Sequence, residues 1–232
     1  MPKKVGTQNW RKKRIQDNLE KKEFRYYIFC EGEQTEPNYF REMKHLIESD
    51  PIYKNTVLVE IEPCAAETMR VIKKAEEYVK KNKLQKGQIW CVYDKDSFPK
   101  SDFNGVEERA QKLNQQNYNI QYYTAWSNEC IEIWFILHFD HYLSNNHRTE
   151  YIKYLNRKFK ELGIGKYEKN LQNIFDILHK HGNPKLAIRY AKRIIGQNNG
   201  KSSAMIAPGT KVYALVEELA KYLPEDIKKK FL

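Results

Sequence analysis

No apolar run in this 232-residue chain approaches the roughly 18 residues that cross a bilayer, and no charged stretch followed by an apolar segment opens it. Membrane insertion and secretion are therefore not expected. Cysteine is scarce: Cys30, Cys64, Cys91 and Cys130 form no C-x-x-C pair and no metal-ligand spacing, which argues against a disulfide scaffold and fits a reducing cytoplasm. The histidine pairs His138/His141 and His179/His181 lack a cysteine or carboxylate framework for zinc. No G-x-S-x-G elbow is present. GQNNGKSS, from Gly196, is no phosphate loop, because three residues instead of four separate Gly196 from Gly200 and the segment follows a helical pattern rather than a strand. No internal repeat is visible.

Charge is plentiful and uneven. The formal excess is +11, and residues 1–25 carry nine basic and three acidic side chains, residues 183–232 ten and four. The middle is close to neutral. Basic flanks around a neutral centre suit a protein that grips phosphates peripherally while central carboxylates hold a cation, although lysine-rich solvated ends produce the same count.

Residues 1–23, with Lys3, Lys4, Arg11, Lys12, Lys13 and Arg14, have little apolar content and read as a basic arm. YYIFC (26–30) then reads as a buried strand. A helix follows, with Thr35 as a cap and Pro37 in its first turn. The alternation continues with strands over 57–61, 88–93 and 119–126, helices over 66–82 and 106–116, and a strongly apolar helix over 129–139. Strands separated by helices of that length predict parallel crossover units, so 24–140 is expected to be an α/β domain with a mostly parallel sheet flanked by helices. Helical periods over 151–159, 170–180, 184–195 and 212–223 predict a helical extension over 141–232. The polar, glycine-rich 196–210 within it is expected to be a mobile loop.

Two of the apolar strands end in acids, Glu31-Gly32-Glu33 and Asp94-Lys95-Asp96. In parallel sheets functional groups collect at the carboxyl ends of strands. If Asp94 and Asp96 keep extended geometry, their side chains project to one side, and like charges held close favour a cation between them. Hard oxygen ligands select Mg²⁺ or Mn²⁺. The plainer alternative is a pair of ordinary loop aspartates. Lys95, between them, is expected to face away, as a solvated or phosphate-contacting lysine. Glu33 either joins the metal or faces water, and Thr35 and Glu36 read as a helix start that also offers donors to an anion.

FCEGEQTEPNYF, VYDKDSF and SNECIEIWFILHF, in this order and spacing, resemble the RloB-like family of prokaryotic defence-associated proteins, itself similar to Toprim domains. The resemblance implies a Toprim-like fold in which Glu31 matches the glutamate after the first strand and Asp94 and Asp96 match the Asp-x-Asp pair. It also implies Mg²⁺ or Mn²⁺ on these three carboxylates. Glu129 departs from the proline expected in the third motif. Within that motif Ser127 or Asn128 is expected to cap the helix. Glu132, a carboxylate on an apolar face, needs a cation, a protonated partner or several donors. It reads either as a catalytic residue that serves the metal or holds a Lys or Arg, or as a paired structural acid. His138 reads as a hydrogen-bonded core histidine.

These readings point to a metal-dependent nuclease of anti-phage defence, cytoplasmic, with Glu31, Asp94, Asp96 and Glu132 in the chemistry. Lys95, Arg11, Lys12, Lys13, Arg14, Arg189, Lys192 and Arg193 are expected on the nucleic acid. A non-catalytic, metal-dependent binder or sensor is the alternative, and phosphoryl or nucleotidyl transfer ranks below both for want of a nucleotide motif. RNA, including tRNA, and DNA both remain open as substrates, with a homodimer and a neighbouring defence protein as further partners. The aromatic-basic mixtures at Lys153-Tyr154, Arg157-Lys158-Phe159 and Lys166-Tyr167 suit either a single strand or ordinary amphipathic helices.

Overall fold

The computed structural model describes residues 22–231. Its chain opens with β1 (Phe24–Cys30), whose last five residues are all buried, as a central strand covered on both faces requires. Helix α1 (Thr35–Ser49) leads to β2 (Val57–Pro63), α2 (Thr68–Lys81) to β3 (Gly87–Asp94), and α3 (Lys100–Asn114) to β4 (Ile120–Asn128). The first four strands pair in parallel, and the sheet order is β2-β1-β3-β4-β5. The chain therefore builds β2 on one side of β1 and then crosses to build β3 and β4 on the other. The expected α/β class with a mostly parallel sheet is what the structure has, and it is consistent with a Toprim-like fold.

Helices α2 and α3 pack beside each other, joined by the paired bonds of Arg109 to Glu76 at 2.6 and 2.9 Å. The apolar third motif departs from the single helix expected over 129–139. Only α4 (Glu132–Ile136) is helical, with short turns at both ends: Trp134 N–H bonds to Ile131 O and His138 N–H to Phe135 O. Cys130 to Leu137 is buried almost completely, so the segment is held by packing on every side and not by one amphipathic face. Ser127 and Asn128 do not cap it. Both belong to β4, where β5 (Gly209–Thr210) pairs antiparallel with them and draws them into the sheet.

Helices α5 (Arg148–Glu161), α6 (Ile174–His181), α7 (Pro184–Gln197), α8 (Val212–Ala220) and α9 (Glu225–Lys228) follow. Their buried side chains, such as Phe159, Phe175, Ile188 and Leu215, join the same contiguous cluster as the sheet. The expectation of a purely helical segment with a loop over 196–210 is corrected in one respect. That loop supplies the 3₁₀ turn Ser203–Met205 and strand β5, anchored because Glu107 accepts from Ser203 Oγ at 2.5 Å and Asn104 Oδ1 accepts from Ala204 N at 3.0 Å. Among the described residues no helix is long and apolar enough to cross a membrane.

Candidate carboxylate site

In a sheet whose order reverses between β1 and β3, loops leave the two strands in opposite directions and open a crevice at their carboxyl ends. Glu31 and Asp94 stand there. The ladder runs one residue past β1, with Glu31 N donating to Val92 O at 2.9 Å. Glu31 Oε2 in turn accepts the Asp94 N–H at 2.9 Å, so residues 63 positions apart are in direct contact. Burial raises the Glu31 carboxyl to about 7, against the opposing pull of the Asp94 N–H.

Asp94 is buried, and its Oδ1 has no hydrogen-bond partner. Its carboxyl is pushed well above the ordinary range, first by burial and then by the charges of Glu36, Glu132 and Glu31. Glu36, in the first turn of α1, is buried as well, and its carboxyl is raised to about 7 by burial, with Glu132 adding to the effect and Lys169 and Arg148 opposing it. Its placement explains Gly32 of the EGE triplet, since a Cβ on Gly32 would overlap Glu36 Oε2. Glu132 is 1% exposed and accepts the Tyr167 hydroxyl at 2.9 Å, with Lys169 Nζ 3.9 Å away. The partner required by a carboxylate on an apolar segment is thus present. Four acids from β1, α1, β3 and α4 influence one another electrostatically at the crevice.

Asp96 behaves differently from the extended Asp-x-Asp expected. Strand β3 ends at Asp94, Asp96 adopts a positive φ of 41°, and its carboxylate is ion-paired with Arg148 at the start of α5. The turn is held by the backbone: Lys95 N–H bonds to Ser127 O at 2.8 Å and Asp96 N–H to Glu129 O at 3.0 Å. The peptide between Asn128 and Glu129 is cis. Among the described residues no three His, Cys, Asp or Glu side chains are disposed to hold a metal ion together.

The cations expected on nucleic acid fare unevenly. Lys95 is not free in solvent, because its ammonium donates to the Phe98 carbonyl and lies 3.4 Å from Asp96 O, closing its own turn. Lys192 is bound to Glu217 at 2.6 Å and lies over the Tyr213 ring. Arg189 and Arg193 are exposed on α7. Arg11, Lys12, Lys13 and Arg14 lie outside the described residues. Of the aromatic-basic mixtures, Tyr167 and Phe159 are buried, so their rings are core and not stacking platforms. His138 is the core histidine expected: its Nδ1 lies 2.9 Å from Trp134 O, and burial lowers its pKa to about 4. Glu33 is exposed.

Four residues of the site were not singled out from the sequence as members: Glu36, Arg148, Tyr167 and Lys169. Glu36 was hidden by its ordinary helix-start context, and the other three lie far along the chain. A cleft of about 380 Å³ lies away from the carboxylates, lined by Asn104, Glu107, Asn199 and Lys201, and contains none of the site acids.

The fold and site define a class: an α/β protein with a parallel sheet whose topological switch point carries a buried carboxylate cluster. The RloB-like protein family matches residues 26–219, and the chain belongs to that family. No curated protein and no solved structure matches it.

Proposed function

We propose that this RloB-like protein is a divalent-metal-dependent nuclease of anti-phage defence, hydrolysing phosphodiesters of nucleic acid at the carboxylate cluster. The observation that carries the reading is Asp94. Its Oδ1 is buried without a partner, against Glu31 and under the charge of Glu36 and Glu132. Such a cluster is stable only when protonated or when a cation enters. The donors are all hard oxygens, which fits Mg²⁺ or Mn²⁺. Glu31 and Asp94 would hold the ion, joined by Asp96 once it leaves Arg148, with Glu132 serving the site through Lys169. A bound divalent ion supplies an activated water and charge neutralisation at the phosphate. Arg189 and Arg193, together with Arg11, Lys12, Lys13 and Arg14, would hold the flanking backbone; the local bonds of Lys95 and Lys192 make those two weaker candidates.

The test is incubation with labelled DNA, RNA and tRNA, with and without Mg²⁺ or Mn²⁺. Cleavage is expected only with metal, and Asp94→Ala and Asp96→Ala should each reduce it about a hundredfold or more. Cleavage that survives both substitutions removes the cluster from the chemistry. The ion pair of Asp96 with Arg148 favours a second reading, a metal-dependent binder or sensor that does not turn over. Product accumulation at excess substrate separates the two.

A further inference from the structure

Two cations approach the carboxylate cluster from the later part of the chain. Arg148 opens α5 and meets Asp96; Lys169 lies between α5 and α6, 3.9 Å from Glu132 Oε1. Neither is sealed in, their side chains being 29% and 47% exposed. Both also favour the charged form of the buried Glu36 carboxyl.

The segment that carries Lys169 is fixed from α1. The cap position of that helix is Gln34, which makes no side-chain capping bond, and Thr35 is its first helical residue instead of its cap. Thr35 and Asn38 lie in the first turn. They reach outward: Thr35 Oγ1 donates to Lys169 O at 3.0 Å, and Asn38 Nδ2 to Asn170 O at 3.2 Å and Leu171 O at 3.3 Å. Glu132 Oε1 accepts from Tyr167 at 2.9 Å, and Lys169 Nζ stands farther off at 3.9 Å, beyond hydrogen-bond length. A half-exposed ammonium is thereby presented at the rim of the crevice. Arg148 adds a planar fork suited to two oxygens of one phosphate.

We infer that Arg148 and Lys169 form a two-cation clamp for a nucleic-acid phosphate, with Arg148 resting on Asp96 until a divalent cation takes that carboxylate. The release of Asp96 rests on the metal reading above; the clamp itself is an anion site and is tested separately.

The experiment uses the full chain, Arg148→Gln and Lys169→Gln. Mn²⁺ is titrated by calorimetry, and a labelled single-stranded RNA is titrated over a salt series in EDTA and in Ca²⁺. Each variant is expected to bind the RNA about tenfold more weakly and to reduce the slope of log affinity against log salt by about 0.7. Mn²⁺ affinity should be retained in Lys169→Gln and tightened in Arg148→Gln, and Arg148→Lys should recover the slope. RNA affinity and slope unchanged in both variants overturn the clamp, as does absence of RNA binding by the parent. A fall in thermal midpoint together with loss of Mn²⁺ affinity in both variants also overturns it, by assigning the pair a purely structural role. If the parent binds no Mn²⁺, the metal reading and the release of Asp96 fail, while the RNA slopes still decide the clamp.

Discussion

At Asp94 a carboxylate ends a buried strand with one oxygen unpartnered and three further acids acting on it. Burial and like charge both favour its neutral form, so ionisation at this position works against the fold. Asparagine keeps the shape and cannot ionise. Asp94→Asn is therefore expected to raise the thermal midpoint of metal-free protein at pH 8 by a few degrees while abolishing Mn²⁺ binding and cleavage. Scanning calorimetry in EDTA checks this, and a lowered midpoint would show that the charge is compensated. Gly32 illustrates the opposite constraint: it is defined by what it leaves out, since any Cβ there would displace the Glu36 carboxylate.

Among the elements, β5 shows how little chain can complete a sheet. It has two residues, and much of its anchoring runs through one buried hydroxyl. Thr210 Oγ1 lies 3.1 Å from Ser127 Oγ, donates to Trp126 O at 3.1 Å and accepts from Val212 N at 3.1 Å. Valine has nearly the same shape and none of these bonds. Thr210→Val is expected to cost about 1–3 kcal/mol in urea unfolding and to speed amide exchange over 126–128. Unchanged exchange there would mean that backbone pairing alone holds the strand. At the far edge of β4, Asn114 performs a similar task for Tyr122, accepting its N–H at 2.6 Å and donating to its carbonyl at 2.9 Å. An otherwise open strand edge is capped by a side chain.

For the whole molecule, the raised carboxyls make stability depend on pH in a definite direction. Glu31 and Glu36 titrate near 7 in the fold instead of near 4.5, so the folded chain holds protons that the unfolded chain has released. Folding is then favoured most below about 4.5 by these groups, and their contribution is lost as pH rises through about 7. Other titrations are superimposed at the acid end, so the informative window is pH 5 to 8. There the metal-free midpoint is expected to fall, and Mg²⁺ or Mn²⁺ should raise it more at pH 8 than at pH 5.5, because metal and protons compete for the same oxygens. Thermal melts with and without EDTA across that window check both statements. A metal effect independent of pH would place the ion elsewhere.

The local signals in the chain were sufficient for the four parallel strands of the sheet. Apolar runs bounded by polar turns marked β1 to β4, and acids at two strand ends marked Glu31 and Asp94, because hydrophobic period and strand termini are properties of neighbouring residues. The anomaly of Glu132 on an apolar segment announced that a partner had to exist. What the sequence could not disclose was long-range: that Tyr167 and Lys169 meet Glu132, that Arg148 holds Asp96, that Glu36 turns inward over Gly32, and that Gly209–Thr210 joins the sheet. Residues such as Arg148 and Lys169 have the same local signature whether they face solvent or a carboxylate. Only the packing of the later helices on the strand ends decides which, since that packing is summed over the whole buried core and is not encoded in any one segment.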